Sequence, residues 1–447
     1  MAKKAKREKK VRTPEEKKKK RIRDIIISCS VIGAVAIFIA ACALAGFLGY
    51  KTNNKLITNL DTVGCKLTPE IDSSTGYWTF TTDNDFKVLQ LTDIHIGSGA
   101  FSIKKDSWAI NAVAKLIKTV QPDFVIVTGD IGYPVPFQAG TFNNKRSAET
   151  FANLMEQLGV YWAFTFGNHD TEAYSLYTRE QISEKVYLQE KYKHCLYQAG
   201  PEDVPGCGNY IINVKNSLGI YTESFVLFDS HSYTDGDYFG LAWKYDNIKQ
   251  KQIDWYKNEI NSLNTANIMH YSSLTPAQKS TYASMVGSTV EDLESKFLAN
   301  SMTIKSSMYF HIPLEEYKTA WNEYADADYN DSALNNVKFN FGIAGETGKV
   351  VYCGMNDDNV FETAQELGST TNIFCGHDHL NNFSITYYGK DGNKTSDNGI
   401  TLTYGMSIDY LAYMGIWKKT EQRGGTIINV KPSGELVVEQ IKLKDCE

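Results

Sequence analysis

Five short motifs carry most of the chemistry in this 447-residue chain. In order they read LTDIHIG (91–97), TGDIGY (128–133), FGNHD (166–170), FHIP (310–313) and CGHDH (375–379). They supply Asp93, His95, Asp130, Asn168, His169, His311, His377 and His379, and so hold five of the eight histidines. All are nitrogen or oxygen donors, a set suited to Fe, Mn or Zn rather than to soft-sulfur sites. One cation takes about four to six donors, so the set is large enough for two. Two cations that act together stand about 3.5–4 Å apart. A carboxylate between them, such as Asp130, lowers their repulsion. Gly129, Gly167 and Gly376 allow tight turns where a side chain would crowd the ions.

Residues so far apart in the chain meet only if the intervening elements carry them to one edge. Each motif follows an apolar run: Lys87–Thr92, Phe124–Thr128, Val160–Phe166, Ser307–Phe310 and Thr371–Cys375. Between the early runs, Trp108, Val113, Leu116 and Ile117 recur at helical spacing, as do Phe151, Leu154 and Leu158. Strands alternating with helices predict an α/β fold with parallel crossovers. Ligand sites in such sheets form beyond the carboxyl ends of strands. Further strands are expected at Phe225–Phe228, Gly399–Tyr404 and Gly425–Val430. Residues 262–305 read as a polar, helical insertion and Thr319–Asn336 as an acidic surface loop.

The first fifty residues concern the compartment. Ile25–Gly49 holds no charge over 25 residues, enough to cross a bilayer core of about 30 Å. The basic run Lys3–Arg23 precedes it, and positive charge stays cytoplasmic. The expectation is a single-pass protein of the cell membrane: a cytoplasmic tail (1–24), a transmembrane signal anchor (25–49), a polar stalk (50–80) and an extracellular catalytic domain (81–447). A cleaved signal peptide at Ala41-Cys42-Ala43, or a lipoprotein box at Ile39–Cys42, is the alternative. Residues 1–23 hold thirteen Lys/Arg against three Glu, a net +10, so the rest carries −16 of the total −6. So acidic a body argues against a nucleic-acid partner. With 42% apolar and 22% charged residues the chain is ordinarily globular. Six of the eight cysteines lie outside the membrane segment, and Cys195 with Cys207 is the best candidate disulfide.

The ordered set D-x-H, G-D, G-N-H-D, a lone His and G-H-x-H resembles the calcineurin-like metallophosphoesterase superfamily. GPEDVPGCGNY, QKQIDWY, FHIPLEEY, GHDHLNNF and LTYG look most similar to its purple-acid-phosphatase-like branch, over roughly residues 85–440. The resemblance implies a four-layer αββα sandwich of two mixed β-sheets flanked by helices, here preceded by one N-terminal transmembrane helix. It implies two metal ions: Asp93, His95 and His379 on the first, Asn168, His311 and His377 on the second, and Asp130 bridging. His169, oriented by Asp170, would face the phosphoryl group as a non-ligating catalytic residue, with Asn168 and Tyr133 also contacting substrate. A metal-bound hydroxide would attack a small phosphate monoester directly. Purple acid phosphatases proper place a Tyr three residues after the bridging Asp and lack the His of the first motif. Here Tyr133 and His95 are both present, and His95 is taken as the ligand.

Two other functions remain open on sequence. One is a nucleotide or cyclic-nucleotide phosphodiesterase with the same metals, and the other an inactive ectodomain that binds a surface partner. No obligate protein partner is evident. His194, His231 and His270 read as structural. Glu346-Thr347-Gly348-Lys349 is not a phosphate loop, because Ile343 holds the place of the first Gly and Val350 follows the Lys.

Overall fold

In the computed structural model, which describes residues 13–237, 240–299, 301–356 and 358–446, apolar runs become strands where both faces have something to cover. One sheet has five strands in the order β14 (Leu436–Lys442), β13 (Gly424–Val430), β3 (Phe86–Leu91), β4 (Phe124–Thr128) and β5 (Trp162–Thr165). Its β3, β4 and β5 are parallel, and β13 runs antiparallel beside β3.

The second sheet has nine strands. They are ordered β1 (Glu70–Ile71), β2 (Trp78–Thr81), β6 (Tyr210–Lys215), β7 (Tyr221–Leu227), β8 (Lys305–Tyr309), β10 (Thr370–Cys375), β12 (Ile400–Tyr404), β11 (Ser384–Tyr387) and β9 (Val337–Phe341). Its central strands β7, β8, β10 and β12 are parallel.

Side-chain alternation along the strands shows the layering. Phe225 and Leu227 of β7, Tyr309 of β8 and Phe374 of β10 point into the space between the sheets, where Phe225 lies 6.1 Å from Phe86 and 5.9 Å from Phe124. Their neighbours Val226, Met308 and Ile373 point the other way, into a second core. That outer core is covered by helices Gln250–Ser273, Glu315–Asp326 and Val360–Leu367. Helices Ile103–Val120 and Asn144–Leu158 cover the outer face of the five-stranded sheet. The result is a four-layer αββα sandwich of two mixed sheets.

For the rest of the text the helices are α1 (Pro14–Ile57), α2 (Ile103–Val120), α3 (Pro136–Ala139), α4 (Asn144–Leu158), α5 (Arg179–Ile182), α6 (Gln250–Ser273), α7 (Pro276–Met285), α8 (Val290–Leu298), α9 (Glu315–Asp326) and α10 (Val360–Leu367). The stretch 262–305 is helical, made of the end of α6 with α7 and α8.

Three expectations are corrected. Residues 319–336 are not all loop, because α9 runs to Asp326 and buries Tyr317, Ala320, Trp321 and Tyr324 at helical spacing. Acidic content had masked that stripe. Residues 50–80 are not a free stalk. Helix α1 continues to Ile57, and its buried Gly46, Gly49, Asn53 and Ile57 form one stripe against the domain. The chain then stays docked, with the amides of Val63 and Gly64 donating to the Leu158 carbonyl. Finally, Cys195 and Cys207 are both free thiols. Cys195 is buried beside Trp162, whereas Cys207 sits 3.4 Å from the Glu180 carboxylate. Of the basic tail, residues 1–12 lie outside the described residues.

Glu223, on β7, is fully buried. Ser307 donates to Oε1 at 2.6 Å, while Oε2 has no hydrogen-bond partner. Burial pushes its carboxyl up to about 8. A folded-state value above the unfolded one costs stability as pH rises towards it. Glu223→Gln should therefore gain stability over the parent progressively from pH 5 to pH 9. Thermal melts of both proteins across that range should show a difference that widens with pH, and a constant difference would contradict the assignment.

Candidate metal centre

All five motifs leave their strands at the same edge. Asp93 and His95 follow β3, Asp130 follows β4, Asn168 and His169 follow β5, His311 follows β8, and His377 and His379 follow β10. Asp93, His95, Asp130 and His377 all have left-handed backbone, with φ of 50°, 54°, 54° and 78°. Such conformations cost of order 1–3 kcal/mol each and persist only where the surroundings enforce them. Two glycines make the close approach possible. A Cβ on Gly167 would overlap the Asp130 carboxylate, and one on Gly376 would overlap the Thr92 hydroxyl and approach Asp93.

The side chains meet around Asp130. Its Oδ2 lies 3.1 Å from His95 Nε2 and 3.2 Å from His311 Nε2, and its Oδ1 accepts the His169 amide at 2.8 Å. On one side, Asp93, His95, Asp130 and His379 offer ligand atoms all within 4.8 Å of one another, every residue buried. On the other, His311 Nε2 lies 3.1 Å from Asn168 Oδ1 and 3.3 Å from His377 Nδ1. The seven donors thus form two adjacent groups that share Asp130.

The ring orientations show what this cluster lacks. His311 Nδ1 faces the Thr128 carbonyl at 2.8 Å and must donate to it, which turns Nε2 towards the cluster. Asp409, which follows β12, accepts from His379 Nδ1 at 2.9 Å, and its other oxygen lies 3.2 Å from His95 Nδ1; both Nε2 atoms also turn inward. Oxygen and nitrogen lone pairs therefore converge with nothing positive between them unless the rings bind protons. Burial opposes this, yet Asp409 and Asp130 raise His95 well above its usual value, and His311 rises to about 9 beside Asp130. Burial and the neighbouring His311 instead hold His377 well below the imidazole range. Asp93 Oδ1 is buried with no hydrogen-bond partner. The site is built for positive charge at its centre, and cations fit it as well as protons do.

His169 stands apart from the two groups, at the wall of an open cleft of about 680 Å³ that His377 and His379 also reach. The orienter expected for it is corrected. Asp170 is occupied by the backbone, accepting the amides of Gly167 at 2.8 Å, Asp130 at 3.0 Å and Gly132 at 2.7 Å. Glu172 instead touches the ring, with Oε1 2.6 Å from Nδ1. Tyr233 donates to the same carboxylate at 3.2 Å, while the Asn168 amide donates to Tyr233 at 2.9 Å. Tyr133 lines the cleft with its hydroxyl directed at the Ala412 carbonyl, its ring 4.7 Å from that of His95. Burial raises its phenol, which keeps it protonated.

Behind the site, Arg179 of α5 forms a buried ion pair with Asp229 and donates to the Gly167 carbonyl at 2.9 Å. It thereby ties the His169 turn to the end of β7. Asp409, Glu172, Tyr233 and Arg179 were all missed in the sequence. Glu172 had a signal, lying three residues after His169. Asp409 follows a sixth strand, but without a histidine to mark it. The other histidines lie outside the cleft: His194 pairs with Glu156, His231 with Gln252 and His270 with the Leu218 carbonyl.

Residues 86–287, a little under half of the chain, match the family model described as calcineurin-like phosphoesterase. That match spans Asp93, His95, Asp130, Asn168 and His169 and, with the buried donor cluster, supports a metal-dependent phosphoesterase. Among curated proteins it is similar to "Probable inactive purple acid phosphatase 14" of Arabidopsis thaliana, 26% identical over 69% of this chain and 69% of that protein. It is also similar to "Probable inactive purple acid phosphatase 28" of the same plant, 23% identical over 83% of this chain and 81% of that one. "Phosphatase DCR2" of Saccharomyces cerevisiae is 25% identical over 73% of this chain and 48% of its own length. Among solved structures, a dimetal phosphatase from Danio rerio covers 80% of this chain and 96% of its own, at 10% identity and a TM-score of 0.45.

Proposed function

We propose that the protein is a membrane-anchored, extracytoplasmic phosphoesterase that hydrolyses phosphate monoesters at a two-cation centre. Asp93, His95 and His379 would hold one cation and Asn168, His311 and His377 the other, with Asp130 shared. The observation that carries this reading is the inward convergence of buried side chains on Asp130, with Asp93 Oδ1 left without a hydrogen bond 3.4 Å from His379 Nε2. When bound, two such cations neutralise phosphoryl oxygens and supply a deprotonated water near neutral pH. The chain's own contribution is positional. Asp409 and the Thr128 carbonyl fix the ring tautomers, and Glu172 holds His169 with Nε2 turned towards the cleft, where it can protonate the leaving oxygen.

Two tests bear on this. Metal analysis with an aryl phosphate assay should find two equivalents of cation and turnover. Metal without turnover on any monoester or diester would favour the binding ectodomain. Hydrolysis of a chiral phosphorothioate should invert configuration, since a single in-line displacement allows nothing else. Retention would require a phosphoenzyme and overturn the mechanism.

Asp409→Asn should weaken one cation by about 10–100-fold, because a neutral amide polarises His95 and His379 less. Titration with Mn should show one weakened site and one unchanged, and excess Mn should restore most of the rate.

The anchor is supported by α1, which has 44 residues and a window of mean hydropathy 2.7, none of it buried. The basic run before it supports a cytoplasmic N-terminus and a domain (81–447) outside the cell.

A further inference from the structure

Where α1 leaves the domain bears on where the cleft opens. Helix α1 runs parallel to α4. Phe47 lies under Arg146, Tyr50 reaches Glu149 at 3.4 Å, Asn54 accepts from Asn153 at 2.6 Å, and the Leu60 carbonyl takes Gln157 at 2.7 Å. Helix α4 begins at the site, since Asn144 donates to the Asp170 carbonyl at 2.9 Å. The apolar part of α1 therefore projects from the domain on the side where the metal motifs sit. The contact is direct, because a Cβ on Gly46 would lie 3.4 Å from the Ala100 amide and one on Gly49 would meet Ile103. A bilayer core of about 30 Å takes about 20 residues. Counted from Ile25, it ends at Leu44, two residues before Gly46, which packs on the loop that follows His95.

The loops at that level carry exposed apolar side chains. Phe101 and Phe142 are half exposed, and Phe137, on α3, is 94% exposed. They form one surface: the Phe101 amide donates to the Ala139 carbonyl at 2.9 Å, and Gly140 abuts the Phe101 ring. The same loop, through Tyr133 and Val135, lines the cleft. Met414, fully exposed, also lines the cleft, two residues after Ala412, whose carbonyl accepts from Gln138 at 2.6 Å. Lys51 and Arg146 both stand over the Phe47 ring where α1 meets the domain, cations that anionic headgroups favour.

We propose that the mouth of the cleft rests on the bilayer that α1 crosses and that the substrate is a lipid phosphoester drawn from that leaflet. This rests on the phosphoesterase and anchor readings above and names their substrate class. A soluble phosphoester would gain nothing from an apolar lip seated on the membrane. A lipid keeps its chains in the leaflet while its headgroup phosphate enters the cleft.

The test uses the full chain in phospholipid vesicles. An environment-sensitive fluorophore at Phe137→Cys, corrected for labelling of the parent, should be quenched by a headgroup-proximal nitroxide lipid. The same probe at Lys257→Cys, on the far face of α6, should not. At equal phosphate, phosphatidic acid in those vesicles should be hydrolysed at least tenfold faster than glycerol 3-phosphate in solution. Phe137→Ser with Phe142→Ser should abolish most of that advantage and leave aryl phosphate turnover unchanged. Equal quenching at both positions, or no preference for phosphatidic acid, overturns the proposal. Aryl phosphate turnover separates the two readings: its presence with those negative results sinks this inference alone, and its absence sinks the phosphoesterase reading with it.

Discussion

Asp130→Asn is expected to abolish turnover, by at least about 10³-fold or roughly 4 kcal/mol of transition-state stabilisation, and to strip both cations together. The carboxylate is the one group both donor sets share, with Oδ2 3.1 Å from His95 Nε2 and 3.2 Å from His311 Nε2. The substitution is almost isosteric. An amide oxygen can still accept the His169 amide, and from a protonated His95 or His311 as well. The cation-free variant should therefore fold, melting below the cation-free parent only by what the carboxylate's charge contributes beside those two rings. That separates loss of charge from loss of structure. Calorimetric titration with Mn or Zn is the measurement. A variant that kept one cation at parental affinity would show that Asp130 serves a single site, and one that kept turnover would remove it from the chemistry.

The second large effect is expected at His169. Its Nδ1 is held by Glu172, its ring packs edge-on 5.7 Å from that of His95, and it lies at the cleft wall. His169→Ala should keep both cations at parental affinity while kcat falls by about 10²–10⁴-fold, the usual worth of a placed proton donor. Substrates with good leaving groups, which need no proton, should lose least. Glu172→Gln should give a smaller loss in the same direction, because the ring stays but its tautomer is less well fixed. If His169→Ala lost a cation, the residue would belong among the donors instead.

Much of this site was legible because strand ends are legible. An apolar run that stops at Gly or at Asp-x-His marks both an element and its exit edge, and five such exits in order left little freedom for the donor set. What the sequence hid was whatever acts at one remove. Asp409 has no distinctive neighbours, and its importance comes from two rings contributed by distant motifs. Tyr233 carries no sequence mark of its own, yet it meets Asn168 and Glu172 while the nearby His231 pairs with Gln252. Adjacency to His169 points to Asp170 as its orienter, whereas Glu172 stands three residues on. In fact Asp170 is consumed by three backbone amides that shape the turn. The docked segment after the apolar helix was hidden for another reason. Its packing stripe uses two glycines and an asparagine, which no hydropathy pattern reveals.

The donors are drawn from both sheets. Asp93, Asp130 and Asn168 leave the five-stranded one, and His311, His377 and His379 leave the nine-stranded one, with Asp409 supplied later still. The five-stranded sheet is itself completed only by β13 and β14, at the end of the chain. No partial chain can hold the full set, so cation loading waits for the last strands to close. On the extracytoplasmic placement proposed above, the ions acquired would then be set by the concentrations outside the cell rather than by those of the cytosol.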